Sequence, residues 1–304
     1  MGTGNEFFGA VMRMRRDGVE KLVPVLIFSE QRYYNQTAMK MNNTKRRLQN
    51  GEVVLGCSMQ QFGSAEIPRI FAAAGFDFCF IDTEHGVFDL ETVRDLIRSC
   101  LDRDITPIVR VGELLYSLVA RVLDAGAQGI IYPRVESRQL LEEAISWTKF
   151  PPLGIRGYGL SAPQFDYEPC SFSEAVQHSN ANTMVVVQFE TQTAMERREE
   201  LLAVPGIDVA MIGPADLSVS LGVPGEFEHP RVIDSITAFM ASCARYGVLP
   251  GIQVRTVGLG KKWIERGMRF VGCGSEHGLL LLKATETMAE LSAAVKALGQ
   301  ERQR

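Results

Sequence analysis

The chain has 304 residues, of which 46% are hydrophobic and 22% are charged, the composition of an ordinary globular protein. Its 32 Lys and Arg residues against 36 Asp and Glu residues give a formal net charge of -4, which argues against a large basic surface for nucleic acid. No apolar run reaches the ~18 residues that a membrane-spanning helix requires, so we expect neither nucleic acid nor a membrane among the partners.

The first forty residues contain an arginine-rich stretch at 12–16 and a short apolar run at 22–28. This order resembles a secretory signal only superficially, because Asp17 and Glu20 lie between the two parts and no small-residue cleavage site follows. We interpret residues 1–40 as a weakly ordered N-terminal extension. The arginines leave an organellar targeting segment as an alternative, against which the acidic residues count.

From residue 51 onward, short apolar runs alternate with amphipathic segments, the pattern of parallel strands joined by crossover helices. Eight such units in about 250 residues predict a (β/α)8 TIM barrel, an α/β fold, over residues 45–296, followed by a polar tail at 297–304. A doubly wound open sheet is the competing architecture, but no GxGxxG motif follows the first strand to support a dinucleotide-binding version. The predicted strands cover residues 53–58, 76–82, 106–111, 129–132, 183–189, 209–212, 248–254 and 270–273.

One segment, residues 151–182, breaks this alternation. It contains two consecutive prolines and several glycines, and it has no persistent period. Loops of this length inside a compact domain are usually functional or disordered. Because the segment comes after the fourth predicted strand, we expect a lid at the mouth of the barrel or a contact between subunits.

The six cysteines form no CxxC pair and fall mostly in apolar runs. We therefore expect buried free thiols rather than a disulfide framework or a zinc site. Free thiols indicate a reducing compartment, so the predicted location is the cytoplasm.

Charged residues follow four of the predicted strands, at the end where barrels of this type place their active sites. Glu190 and Asp216 follow adjacent strands and form a carboxylate pair suited to a hard divalent cation such as Mg2+ or Mn2+. His85 and Arg110 add groups for proton transfer and for stabilising negative charge. Each residue alone has a structural alternative, such as a helix cap for Asp216 or an ion pair with Arg197 for Glu190. Their coincidence at one mouth favours a functional site.

The lysines argue against Schiff-base chemistry. A Schiff-base aldolase needs a lysine that projects into the barrel from a strand, whereas the lysines here fall in predicted helices, at their edges or before the barrel. If this chain activates a carbon acid, we expect a metal ion to do it.

Five short motifs follow one another along the chain. They are FDFCFIDTEHG at 76–86, GAQGIIYP at 126–133, FPPLGIRGYG at 150–159, VVQFE at 186–190 and IGPADLS at 212–218. In this order they resemble the HpcH/HpaI aldolase family, metal-dependent pyruvate aldolases that include 2,4-dihydroxyhept-2-ene-1,7-dioate aldolase and 2-dehydro-3-deoxyglucarate aldolase. The resemblance extends over about residues 45–295 and implies a (β/α)8 barrel of the phosphoenolpyruvate/pyruvate-domain type.

The resemblance also implies roles for individual residues on the metal side of the site. Glu190 and Asp216 match the family's ligands to a divalent metal, expected to be Mg2+ or Mn2+, with Co2+ as a further option. Gln188 and the backbone at Ala215 and Asp216 match the positions that hold the pyruvate part of the substrate.

Three further residues match the family's catalytic positions. His85 matches the general base, and Arg110 matches the arginine that binds pyruvate and stabilises the transition state. Asp124 matches the aspartate credited with raising the basicity of that histidine. Our own topology places Asp124 at the end of a returning helix, at the opposite end of the barrel. From there it would reach His85 only across a subunit boundary or along a different backbone course.

One position departs from the family pattern. Gln253 stands where the family often has an apolar residue that lines the pocket for the methyl group of pyruvate. A more polar donor, such as an oxidised or hydroxylated pyruvate, would account for the glutamine, and so would a repositioned loop.

We therefore expect a class II carbon–carbon lyase that cleaves a 4-hydroxy-2-oxo acid to pyruvate, or a close 2-oxo acid, and an aldehyde through a metal-stabilised enolate. Apolar residues in the last helix, together with the resemblance, predict a homo-oligomer, with a hexamer as the expected form. Two alternatives stay open: a citryl- or malyl-CoA-type lyase, and a catalytically silent barrel that acts as a binding module.

Overall fold

The computed structural model describes residues 10–16, 19–25, 39–159, 165, 167 and 169–301. The chain divides into two units, Met1–Ala38 and Met39–Arg304. In the first unit, strands β1 (Ala10–Arg16) and β2 (Val19–Val25) pair with each other in antiparallel register, although the sequence pattern predicted no strand there. Most residues of the predicted N-terminal extension lie outside the described part of the chain.

Eight parallel strands of the second unit close into a barrel, which confirms the predicted (β/α)8 fold and the position of every predicted strand. The strands are β3 (Val54–Met59), β4 (Phe78–Asp82), β5 (Thr106–Arg110), β6 (Gly129–Tyr132), β7 (Met184–Phe189), β8 (Val209–Ile212), β9 (Leu249–Val254) and β10 (Phe270–Ser275). Strands that are consecutive in the sequence are neighbours in the barrel, and β10 pairs with β3 to close it.

Helices connect the strands and cover the outside of the barrel. They are α1 (Asn43–Gln49), α2 (Glu66–Ala74), α3 (Leu90–Asp102), α4 (Tyr116–Asp124), α5 (Arg138–Ser146), α6 (Phe172–Asn182), α7 (Gln192–Glu196), α8 (Arg198–Leu202), α9 (Pro214–Ser220), α10 (Pro230–Tyr246), α11 (Val257–Glu265) and α12 (Glu276–Glu301). The last helix continues through the start of the expected polar tail, of which residues 302–304 lie outside the described part. Among the described helices, none is both long and apolar enough to cross a membrane.

The core has two layers because side chains along each strand alternate between the barrel interior and the helices. In β4, Phe78 and Phe80 point inward, while Cys79 and Ile81 pack against the helices. The Phe78 ring stacks on Phe270 with 4.1 Å between ring centroids, which fills the interior below the mouth. All six cysteines are free thiols and four of them are buried, as predicted.

Helix α1 covers the amino-terminal end of the barrel. Leu48 packs into the interior cluster. Asn42 caps the helix by accepting from the Lys45 N–H at 2.8 Å, and its own amide donates to the carbonyls of Gln128 and Asn182 at 2.8 and 3.0 Å. This end is therefore closed by protein groups.

The segment 151–182 differs from the prediction in two respects. It follows α5, a helix that leads the chain from the mouth back to the amino-terminal end of the barrel. Its described residues therefore lie at the amino-terminal end and not over the mouth. Its last part is α6, which starts with a capping box between Ser171 and Glu174. The sequence pattern missed this helix because it buries mainly Ala175 and has little periodicity. Residues 160–164, 166 and 168 lie outside the described part, and a contact between subunits stays a prediction.

Candidate active site

A cavity of about 780 Å³ opens at the carboxyl-terminal end of the barrel. Barrels of this type bind their substrates at this end, because the loops that follow the strands converge there. Glu190 is buried beside the cavity. The cavity is lined by five of the predicted site residues, His85, Arg110, Gln188, Ala215 and Asp216.

Glu190 directly follows β7, and two donors hold its carboxylate. The backbone N–H of Arg134 donates to Oε1 at 2.9 Å, and the Gln188 amide donates to Oε2. Burial raises the pKa of Glu190, an effect that the Arg134 N–H only partly offsets. The negative charges of Asp216 and Glu84 raise this pKa further. The ionised form is therefore costly in these surroundings, and a cation bound by Glu190 and Asp216 would stabilise it.

Gly213 connects β8 to α9 and brings the second carboxylate into the site. A Cβ atom at this position would lie 2.7 Å from both Gln188 Nε2 and Glu190 Oε2, so a side chain here would displace them. Helix α9 begins at once, and its first turn places Ala215 and Asp216 on the cavity wall.

Arg110 ends β5, and its guanidinium is almost completely buried. Its Nε and Nη2 donate to the two carboxylate oxygens of Asp82 at 2.9 and 2.5 Å, and Gln60 Nε2 donates to the same carboxylate at 2.8 Å. Burial alone would raise the pKa of Asp82, but the hydrogen bonds and charge of Arg110 outweigh burial and hold it below its usual range. Asp82 thus fixes Arg110 as a charged group, with Nη1 3.5 Å from Gln188 Oε1.

Glu84 joins this ion pair to the rest of the mouth. Its Oε2 lies 3.0 Å from Arg110 Nη1, and its Oε1 lies 3.3 Å from Arg134 Nε. Arg134 in turn approaches Asp216, with 3.9 Å between Nη2 and Oδ1. Because Glu84 is paired with two arginines, Glu190 and Asp216 are the carboxylates best placed to bind a cation.

His85 follows β4 in a tight turn and faces the cavity. Its backbone N–H donates to Asp82 Oδ1 at 3.3 Å, and its Nε2 lies 3.9 Å from Glu84 Oε1. The next residue is Gly86, where a Cβ atom would lie 2.0 Å from the Asp82 carbonyl oxygen. The side chain of His85 is 55% exposed, so it can meet a ligand without rearrangement of the core.

Asp124 is not brought to His85 within this chain. It ends α4, and it accepts from Arg156 Nη2 at 2.7 Å at the amino-terminal end of the barrel. This position agrees with the topological expectation from the sequence. A role for Asp124 toward the histidine of another subunit stays a prediction.

One wall of the cavity was missed by the sequence analysis, which ended the last strand at residue 273. The strand continues to Ser275, and Ser275 and His277 line the cavity with Gln253. The amide of Gln253 donates to the Gly274 carbonyl at 3.0 Å, while its Oε1 is buried and has no hydrogen-bond partner in the described part of the chain. In the sequence, the three consecutive polar residues at 275–277, just beyond the apolar run of the last strand, could have indicated this wall.

No lysine lines the cavity among the described residues. Lys149 is instead at the amino-terminal end, where it donates to the carbonyls of Asn180 and Thr183 at 2.7 and 2.8 Å. Burial and the nearby charge of Lys45 lower the pKa of Lys149 to about 8. The arrangement offers no candidate for a Schiff base in this cavity.

The donor set at the mouth fits a hard divalent ion. Carboxylate and amide oxygens are the ligands that such ions prefer, and the buried Glu190 has the raised pKa of a carboxylate that lacks sufficient positive charge. Within the described residues, no three His, Cys, Asp or Glu side chains are grouped as a metal cage. A metal held by Glu190 and Asp216 would therefore depend on water or substrate for its other ligands.

Comparison with known proteins agrees with the fold. A profile of the HpcH/HpaI aldolase/citrate lyase family matches residues 62–299. The hydroxypyruvate/pyruvate aldolase of Roseobacter denitrificans is 32% identical over 244 residues, which cover 79% of this chain and 93% of the relative. The 4-hydroxy-2-oxo-heptane-1,7-dioate aldolase of Escherichia coli is 31% identical over 260 residues, which cover 84% of this chain and 97% of the relative.

The same likeness is seen in three dimensions. The crystal structure of an HpcH/HpaI aldolase from Desulfitobacterium hafniense superposes with a TM-score of 0.78 and 29% identity, covering 81% of this chain and 95% of that one. The chain belongs to the HpcH/HpaI aldolase/citrate lyase family.

Proposed function

We propose that this chain is a class II aldolase, a carbon–carbon lyase that cleaves a 4-hydroxy-2-oxo acid to pyruvate, or a close 2-oxo acid, and an aldehyde. The observation that carries the proposal is the Glu190–Asp216 pair beside the buried, charge-fixed Arg110 at the mouth of the barrel. Two bacterial relatives are named as a hydroxypyruvate/pyruvate aldolase and a 4-hydroxy-2-oxo-heptane-1,7-dioate aldolase, which supports the same reaction.

Glu190 and Asp216 would hold the divalent ion, for which Mg2+ and Mn2+ are the first choices and Co2+ a further one. When bound, such an ion supplies positive charge that stabilises the enolate form of a 2-oxo acid. Gln188 and the backbone N–H groups of Ala215 and Asp216 would orient the 2-oxo acid, since all three residues line the cavity beside these carboxylates.

Arg110 and His85 would do different work on the bound acid. Arg110 faces the negative charge that grows on the keto oxygen, and Asp82 holds its guanidinium in place so that no reorientation is needed during the reaction. His85 would move the proton to and from C3, since its ring is exposed in the same cavity.

Gln253 suggests the class of 2-oxo acid. Its side chain lines the cavity, where the amide is a polar group able to hydrogen-bond a hydroxyl group on the substrate. We therefore propose that the enzyme accepts a hydroxylated pyruvate as well as pyruvate. Comparison of the two donors in aldol addition, with Gln253→Leu as the variant, tests this point. An unchanged preference in the variant would contradict it.

The proposed assembly is a homo-oligomer with a hexamer as the expected form, in a reducing compartment such as the cytoplasm. Helix α12 exposes a run of apolar side chains that its own barrel does not cover. They include Leu280, Leu281, Leu282, Met288 and Leu291. Sedimentation that gives a monomer at micromolar concentration would contradict this assembly.

The deciding experiment is metal-dependent exchange of the methyl protons of pyruvate with D2O, followed by NMR, together with cleavage of a panel of 4-hydroxy-2-oxo acids. A class II aldolase should show both activities and lose both with EDTA. Cleavage confined to coenzyme A thioesters would indicate a citryl- or malyl-CoA-type lyase instead. Absence of both exchange and cleavage would indicate a silent barrel.

A further inference from the structure

The end of β10 and the start of α12 form a cavity wall whose polar residues have no role in the reaction described so far. Ser275 ends the strand, and Glu276 and His277 begin the helix. Only β9 separates β10 from β8, the strand that leads to Asp216, so the wall belongs to the same mouth.

Glu276 is buried and firmly anchored. Its Oε1 accepts the backbone N–H groups of three consecutive residues, Gln60, Gln61 and Phe62, at 2.8, 2.5 and 3.0 Å. Its Oε2 has no hydrogen-bond partner in the described chain and lies 3.5 Å from Nδ1 of His277. The Glu276 carboxylate is thus fixed at ion-pair distance from the His277 ring.

The two ring nitrogens of His277 have different surroundings. Nδ1 is buried and faces Glu276, whereas Nε2 lies 3.3 Å from Ser275 Oγ on the cavity wall. The side chain is 41% exposed. With the Nδ1 proton directed to Glu276, Nε2 accepts from the Ser275 hydroxyl, and a ligand hydroxyl that replaces this bond can give its proton to Nε2. The Glu276 carboxylate, the His277 imidazole and the open cavity therefore follow one another in the order that a general base requires.

This group is tied to the arginine of the site. Gln60 donates its backbone N–H to Glu276 and its side-chain amide to Asp82, which in turn holds Arg110. The residues that fix Arg110 toward the keto oxygen thus also fix the carboxylate behind His277. A single hydrogen-bonded network therefore holds both Arg110 and the Glu276 carboxylate.

Cleavage of a 4-hydroxy-2-oxo acid requires two separate proton transfers. One removes the proton of the 4-hydroxyl group while the C3–C4 bond breaks, and the other delivers a proton to C3 of the enolate. His85 is assigned to C3, so the hydroxyl proton needs its own acceptor.

On the basis of the aldolase function proposed above, we propose that His277 accepts the proton of the 4-hydroxyl group. The proton passes from O4 to Nε2, and the O–H electron pair becomes the second bond of the aldehyde C=O. The C3–C4 electron pair passes into the enolate. The ring returns the proton to solvent after the aldehyde has left.

The test measures two reactions on one preparation of His277→Gln. Single-turnover cleavage of the 4-hydroxy-2-oxo acid that the native enzyme cleaves fastest should slow by about 10²-fold or more, the usual contribution of a positioned base. Exchange of pyruvate methyl protons with D2O should stay unchanged, because pyruvate has no 4-hydroxyl group. His178→Gln, at the amino-terminal end of the barrel, is the matched control and should leave both reactions unchanged.

Unchanged cleavage in His277→Gln would overturn the assignment, and so would an equal loss of cleavage and exchange, which would make His277 a structural residue or part of the enolisation step. The exchange reaction also reports that the variant is folded. If the native enzyme showed neither reaction, the proposed function itself would fail, a result distinct from a failure of the His277 assignment alone.

Discussion

At the amino-terminal end of the barrel, buried charges are bound by protein groups, whereas at the carboxyl-terminal end they surround open space. Lys149 donates to two backbone carbonyls and Arg156 pairs with Asp124, next to a cavity of only about 60 Å³. The mouth at the other end has a cavity of about 780 Å³, beside which Glu190 has a raised pKa.

The comparison separates stability from function within one barrel. At the closed end the buried charges contact protein groups, so their loss should lower the free energy of unfolding. At the mouth the buried charges border an open cavity and are available for a ligand. Substitutions at the mouth should therefore change turnover, and substitutions at the closed end should change stability.

The largest effect is expected at the metal pair. Glu190→Ala and Asp216→Ala should each reduce turnover below detection and leave the fold intact, because each removes one of the two carboxylates proposed to bind the ion. Steady-state assays with added Mg2+ or Mn2+, with circular dichroism for folding, provide the measurement. Glu142→Ala, on the exposed face of α5, is the matched control and should keep full turnover. Full activity of the native enzyme in excess EDTA would contradict the prediction.

Substitution of Arg110 or His85 should slow pyruvate proton exchange strongly, and the loss should be larger for Arg110. Arg110→Ala should bring pyruvate proton exchange close to background, since it removes charge that matters most in the transition state. His85→Ala should lose about 10²- to 10⁴-fold, keep a residual rate and show a shifted pH profile.

The exchange rate is measured by NMR between about pH 6 and 9. Arg110→Ala also leaves the buried Asp82 without its partner, so Arg110→Lys, which keeps the charge but not the paired hydrogen bonds, is measured beside it. A native rate and pH profile in His85→Ala would move the search for the base to Glu84.

A moderate effect on stability alone is expected at the closed end. Asn42→Ala removes the cap of α1 and two hydrogen bonds to buried carbonyls, which should lower the free energy of unfolding by roughly 2–3 kcal/mol. Turnover should not change. Urea unfolding compares this variant with Asn43→Ala, the neighbouring position. A loss of turnover without a loss of stability would break the contrast between the two ends.

The smallest effect is expected from deletion of residues 1–38. All eight barrel strands come from later residues, so the melting temperature and turnover should stay close to those of the full chain. Differential scanning calorimetry and the cleavage assay test this together. A large drop in melting temperature would show that the first unit stabilises the barrel.

The barrel could be predicted because its signals are local. Each strand is a short apolar run, and helices such as α3 present buried residues at regular spacing, among them Val93, Leu96 and Ile97. The helix α6 was missed for the opposite reason, since its start depends on a capping box rather than on an apolar face. The position of the described residues of segment 151–182 was misjudged because α5 had to be recognised before the direction of the chain was known.

The site was predictable where charges directly follow strands, as at Arg110 and Glu190. It was not predictable where function depends on contacts through space. Gln60 matters because it donates to both Asp82 and Glu276, two residues that are far apart in the sequence. The wall around His277 was missed because the last strand extends two residues beyond its apolar run.

The hydrogen bonds between Glu276 and the backbone of residues 60–62 also affect how the enzyme folds during its synthesis on the ribosome. Gln60 and Glu276 are 216 residues apart, so synthesis at ~5–20 residues per second separates them by roughly 10–40 s. Asp82, Arg110 and Glu190 are all added within that interval, before the carboxylate that holds the loop beside them. We expect the catalytic mouth to take its final form only after Glu276 has been synthesised.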